Sequence, residues 1–200
     1  MKECLLLFLS GWLAVSSNAA KVDTVQIYSR SMNKSFPALI FKPEIEKKTQ
    51  QKFPVLYLLH GHSSDYAGWN YIESQLKNWA DDHRIIIVCP DGDYSSWYVN
   101  SPVRRNSKFE TYIAREVVKY VDDHYPSMKD KTYRGITGVS MGGHGAIYLA
   151  LNQPDVFGIA GSISGALDIL PFSDEWNLQE VFGPLKGNEK IWKKNPEYTL

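Results

Sequence analysis

Two hundred residues, 44% apolar and 22% charged, suit one globular domain with a sizeable core, and no internal repeat or low-complexity tract interrupts them. The 22 Lys and Arg balance the 22 Asp and Glu. Nothing in that balance argues for nucleic acid, an anionic membrane surface or a polyanionic partner, each of which requires a basic stripe.

The N-terminus carries Lys2 and Cys4, then an apolar run from Leu5 to Val15 that is too short to span a bilayer. Small residues at Ser17 and Ala19 set a cut after Ala19, so residues 1–19 read as a secretory signal peptide and 20–200 as the mature, secreted or periplasmic domain. The same run also fits an uncleaved anchor or a buried helix. Cys4 lies too early to carry a lipid after cleavage, which leaves Cys89 without a disulfide partner and best read as a small buried thiol.

From Val22 to Tyr28 polar and apolar residues alternate, and Ser35 to Phe41 ends in a second short apolar run before Pro43. These predict an opening antiparallel pair with one wet face. Glu44 to Lys52 is a charged, solvated connection. Val55 to Leu59 is apolar without alternation, as a strand covered on both faces must be, and runs straight into His60-Gly-His-Ser-Ser64. Trp69, Ile72, Leu76, Trp79 and Ala80 then recur at helical spacing, followed by a buried strand from Ile85 to Cys89 and a loop from Pro90 to Tyr98. A second amphipathic helix carries Phe109, Tyr112, Ile113, Val117, Tyr120 and Val121 on its apolar stripe.

The segment from Thr132 to Leu151 passes from a short apolar strand through Gly138-Val-Ser140-Met-Gly142 into an almost wholly apolar helix closed by Pro154. This is the form of a nucleophile elbow. A serine that attacks a carbonyl must stand exposed at the top of a sheet, on a sharp and strained strand-to-helix turn. Glycine at 138 and 142 has no β-carbon to crowd that turn, and the following helix directs N–H groups at the serine. Phe157 to Ser164 predicts one more strand, rich in glycine.

Strands and helices thus alternate through four cycles, which predicts a doubly wound, mainly parallel α/β sheet with helices on both faces. Ligands in such sheets bind beyond the carboxyl ends of the strands. His60 to Ser64, Asp91 to Tyr98, Ser140, and Ser164 to Asp168 all fall at that end.

Leu58-Leu-His-Gly-His62 with Trp69, Pro90-Asp-Gly92 with Ser96 and Trp97, and Gly138-Val-Ser-Met-Gly-Gly-His-Gly-Ala146 together resemble the esterase D-like family of α/β-hydrolases. Its members include S-formylglutathione hydrolases, feruloyl and acetylxylan esterases, and secreted mycolyltransferases. The resemblance runs from about Val22 to the end of the chain. It implies a serine carboxylesterase with Ser140 as nucleophile and the backbone N–H groups of His62 and Met141 as oxyanion hole. It implies no cofactor, and the spacing of Asp91 and Asp93 does not supply a calcium or zinc site. The partner is a small or carbohydrate-linked ester, acetyl or feruloyl among the candidates; oligomeric state is not legible.

In that family an acid and then a histidine follow the nucleophile in later loops, and here no histidine follows His144. The resemblance therefore implies a chain lacking the last strands, weak or inactive, with an exposed apolar sheet edge. His144 reads as helix packing, His60 and His62 as parts of the oxyanion loop, and His83 and His124 as cations at helix ends. Asp168 is a candidate acid after the sixth strand. Tyr94, Trp97 and Tyr98 read as an aromatic loop lining an acyl or sugar subsite. Two other activities fit the same residues: acyl transfer to a sugar hydroxyl, and non-catalytic binding on the same fold.

Overall fold

The computed structural model describes residues 20–44 and 50–193. The run read as a signal peptide, Cys4 included, lies outside them. A six-stranded sheet has the order β1-β2-β4-β3-β5-β6, from β1 (Lys21–Ser29), β2 (Lys34–Lys42), β3 (Val55–Leu59), β4 (Ile86–Pro90), β5 (Arg134–Gly138) and β6 (Ile159–Ala160). The first two form an antiparallel hairpin from Lys21 opposite Lys42 to Ser29 opposite Lys34, and β2 pairs antiparallel with β4. From β4 through β3 and β5 to β6 every pairing is parallel.

The uninterrupted apolar runs of β3 and β4 are explained by what covers them. On one face Tyr57, Leu59, Ile86, Val88 and Ile136 pack against Phe109, Tyr112, Val117, Val121, Ala146 and Leu149. On the other, Leu58, Ile87 and Cys89 pack against Trp69, Leu76 and Ala80. Helices on both faces make the sheet doubly wound, an α/β-hydrolase arrangement with an antiparallel margin. Cys89 is buried, and desolvation pushes its thiol pKa up, so it is an inert part of the core. No helix among the described residues is long and apolar enough to cross a membrane.

Three elements differ in detail from the periodicity. The spacing from Trp69 to Ala80 resolves into two short helices, α1 (Gly68–Ile72) and α2 (Leu76–Asp82), because Glu73 is extended and its carboxylate takes the N–H of Gln75 at 2.7 Å. Ile72 and Trp79 consequently face solvent while Trp69, Leu76 and Ala80 are buried. The second amphipathic helix runs as α3 (Phe109–Thr111), a π-helical turn (Tyr112–Val117) and α4 (Val118–His124). The π turn widens the buried stripe to include Ala114 and Val118, and leaves Tyr120 only partly covered. The strand expected over Phe157 to Ser164 pairs regularly only at Ile159 and Ala160, then touches Val139 once more through Ile163. Ile159 and Ile163 stand exposed on this margin of the sheet.

Arg134 opens β5 from a buried position, with Nη2 donating to Asp122 Oδ2 at 2.9 Å and Nη1 to the carbonyl of Val156 at 3.0 Å. Asp122 also accepts from Ser127 Oγ at 2.6 Å, so the pair staples α4 to the start of the elbow strand. Removing the acid leaves an uncompensated buried guanidinium. Asp122→Ala is expected to lower unfolding free energy by about 3 kcal/mol in a denaturant titration, and Asp122→Asn by less, since its amide oxygen still accepts.

Candidate active site

β5 ends at Gly138, and helix α5 (Met141–Asn152) begins after two intervening residues. Between them Ser140 has φ 55° and ψ −119°, a left-handed strain for a residue with a side chain. The turn is held by three backbone bonds: Ser140 N–H to Ile163 O at 2.9 Å, Gly142 N–H to Val139 O at 2.8 Å, and His144 N–H to Ser140 O at 3.0 Å. Ser140 is exposed, and its side chain makes no capping bond to α5.

Both flanking glycines are forced by close approach to β3. A methyl group at Gly142 would lie 2.2 Å from the carbonyl oxygen of Leu59, and one at Gly138 would lie 2.5 Å from Gly142 and 2.6 Å from Leu59 O. The loop that follows β3 also lies against the turn, since a methyl at Gly61 would sit 3.6 Å from Cβ of Ser140. His62 is the next residue. Among the described residues neither its amide nor that of Met141, which follows Ser140 in the chain, donates a backbone hydrogen bond.

His60 fixes this loop from below. The N–H of Gly92 donates to its Nε2 at 2.8 Å, so the proton sits on Nδ1 and is donated to Gly61 O at 2.8 Å. Burial lowers its pKa, which keeps the ring neutral as this bonding requires. One imidazole thereby ties the loop after β3 to the loop after β4, while Tyr98 Oη donates to His60 O at 3.0 Å.

The three aromatics predicted to line a subsite separate. Tyr94 is exposed, its ring edge-on to His62 at 4.9 Å. Trp97 and Tyr98 are buried instead, and the correction has a backbone cause: both adopt left-handed φ, 54° and 59°, which turns their rings inward. Tyr98 fills the space between the loops, packed so closely on Gly92 and Gly145 that a methyl at either would lie within 2.4 Å of its ring. Trp97 meets His144 edge-on at 5.2 Å and donates from Nε1 to Trp176 O at 3.2 Å.

Asp168 is exposed, and its Oδ1 accepts from Leu170 N–H at 3.0 Å, an ordinary turn contact. His144 is buried with Nδ1 bonded to Ala166 O at 2.9 Å. His83 caps α2 and His124 ends α4; both helices lead into the N-terminal ends of strands, opposite the edge that carries Ser140. Among the described residues no three His, Cys, Asp or Glu side chains cluster as a metal site requires.

The segment after Asp168 adds residues that sequence reasoning missed. Phe172 and Trp176 are partly exposed, with rings 4.9 Å apart, and Trp176 lies 6.1 Å from Trp97. Asn177 reaches His62, Oδ1 to Nε2, at 2.9 Å. The available signal was a pair of aromatics four residues apart in a polar stretch.

Residues 29–199 match the model of the family described as "Putative esterase". Among solved structures, fluorophosphonate-binding serine hydrolase F of Staphylococcus aureus is 26% identical, with TM-score 0.74 over 90% of this chain and 71% of that one. S-formylglutathione hydrolase FrmB of the same organism is 25% identical, with TM-score 0.72 over 90% and 70%. A ferulic acid esterase is 27% identical, with TM-score 0.64 over 75% and 59%. The fold and these matches place the chain in the class of carboxylic ester hydrolases. The chain belongs to the putative-esterase family of α/β-hydrolases.

Desolvation lowers the His144 pKa from 6.5 to about 4. Between those values the unfolded chain takes up a proton that the folded one refuses, so stability falls as pH falls through this window. The loss from this group approaches about 3 kcal/mol at the acid end. His60 adds to the same slope. Unfolding free energy measured from pH 7 to pH 4 is expected to drop steeply in the native sequence and less steeply in His144→Gln.

Proposed function

We propose that the chain is a secreted serine carboxylesterase, residues 20–200 forming its hydrolase domain once 1–19 are removed. Its substrates are acyl esters carried on carbohydrate, acetyl or feruloyl among them. The observation that carries this reading is the strained, exposed Ser140 on a turn whose two glycines leave no room for a methyl group. Tyr94, exposed and edge-on to His62, and the exposed pair Phe172 and Trp176, next to the Asn177 that bonds His62, support an aromatic or sugar substituent.

Ser140 Oγ attacks the ester carbonyl carbon; the Oγ–C bond forms as the carbonyl π electrons move onto oxygen, the Oγ proton passes to solvent water, and water returns a proton to the departing alkoxide. The His62 and Met141 amides stabilise that oxyanion, helped by the positive end of α5. Collapse expels the alcohol and leaves an acyl-serine, which water cleaves to the free acid. In this reading Ser140 is the nucleophile and the His62 and Met141 amides are the oxyanion donors. His60 and His144 hold backbone groups, His62 holds Asn177, and His83 and His124 lie at the far edge. In this reading the serine proton goes to solvent rather than to any of these five rings.

The test is covalent labelling with a fluorophosphonate alongside hydrolysis of 4-nitrophenyl acetate and methyl ferulate. Labelling confined to Ser140 and lost in Ser140→Ala is the expected result; the accompanying fall in turnover is modest, because with no histidine to take the serine proton the residual rate comes largely from the oxyanion donors and substrate binding. A folded protein that takes no label at Ser140 refutes the nucleophile and leaves a binding role for the fold.

A further inference from the structure

We infer that Asn177 is a positioning residue for the loop that carries the His62 amide, acting through a defined donor–acceptor chain from Glu180; the inference rests on reading Ser140 and His62 as nucleophile and oxyanion donor.

The direction of the chain follows from its far end. A carboxylate only accepts, so the group of Asn177 that meets Glu180 Oε1 at 2.6 Å is the Nδ2 amide. Oδ1 therefore faces His62, and at 2.9 Å it takes a proton from Nε2. His62 is thus held as the Nε2–H tautomer, the opposite of His60, whose Nε2 is an acceptor. Arg104 Nη1, 4.0 Å from the other oxygen of Glu180, keeps a positive charge beside the carboxylate.

The backbone around Asn177 is strained in a way that this contact accounts for. Trp176 and Asn177 are consecutive left-handed residues, φ 49° and 59°. Asparagine tolerates that region; a tryptophan does so only where its surroundings over-determine it. Those surroundings are the ring of Phe172 at 4.9 Å, the ring of Trp97 at 6.1 Å and the Trp97 Nε1 bond to Trp176 O at 3.2 Å. They fix the peptide that presents the Asn177 amide to His62, across 115 residues of sequence. Gly61, the neighbour of His62, is in turn seated on the elbow, 3.6 Å from Ser140 Cβ for any methyl placed there. Displacement of the His62 side chain, and of the loop to which it is attached, is therefore opposed by the segment from Phe172 to Glu180.

Two variants separate this role from general disruption. Asn177→Gly removes the side chain while suiting the left-handed backbone. Asn177→Asp combined with Glu180→Gln keeps the chain of bonds, because the amide introduced at position 180 then donates to the carboxylate introduced at position 177, which still accepts from His62. Two readouts are taken on folded protein: the rate of fluorophosphonate labelling at Ser140, and the ¹⁵N signature of the His62 ring, which tells the two tautomers apart.

The expected result is Nε2–H in the native protein, a mixed tautomer and labelling slowed about fivefold in Asn177→Gly, and return of both towards native values in the paired variant. Native-rate labelling in Asn177→Gly overturns the inference. So does a native His62 protonated on Nδ1, or a slowing that the paired variant fails to reverse. Native protein that does not label at Ser140 overturns the nucleophile reading, and the tautomer measurement then decides the Asn177 contact by itself.

Discussion

The whole site depends on how closely the start of α5 is pressed against the end of β3. There is no room for a methyl group between Gly142 and the Leu59 carbonyl, nor between Gly138 and Gly142. This contact sets the sharpness of the turn and hence the dihedral of Ser140. It also brings the loop after β3 alongside the serine, since β3 lies between β4 and β5 in the sheet. A central strand flanked by parallel neighbours on both sides is what allows three loops to meet at one end.

Polar groups inside that end of the molecule are few and tightly matched. His60 joins Gly61 to Gly92 with one proton, and the Tyr98 hydroxyl closes on the carbonyl of the same histidine. Such an arrangement stabilises only when every member is satisfied, because an unmet group in a dry site is costly. It also explains why the ring stays neutral: an imidazolium there would put two donors where Gly92 supplies one already.

The strands and the elbow were legible because both leave strong marks in one dimension. Val55 to Leu59 and Ile85 to Cys89 are apolar throughout as two covered faces demand, and Gly138, Ser140 and Gly142 sit at a spacing with a steric cause. What escaped was set by dihedrals or by distant pairing. Trp97 and Tyr98 look like loop residues, yet left-handed backbone sends them into the core. The break between α1 and α2 depends on one carboxylate taking one N–H, and the π turn on an extra residue that periodicity absorbs unnoticed. Asn177 and His62 meet only once the sheet has folded, and no local pattern announces them.

The amide of Ser140 is bound to Ile163, and the amide of Ile163 to Gly138. The strained residue is thus clasped by the outermost stretch of the sheet, whose Ile159 and Ile163 are open to water. Fraying of that margin unclasps the serine and lets it relax to an ordinary conformation. The conformation of Ser140 and the pairing of this last stretch of strand are therefore held by the same two hydrogen bonds.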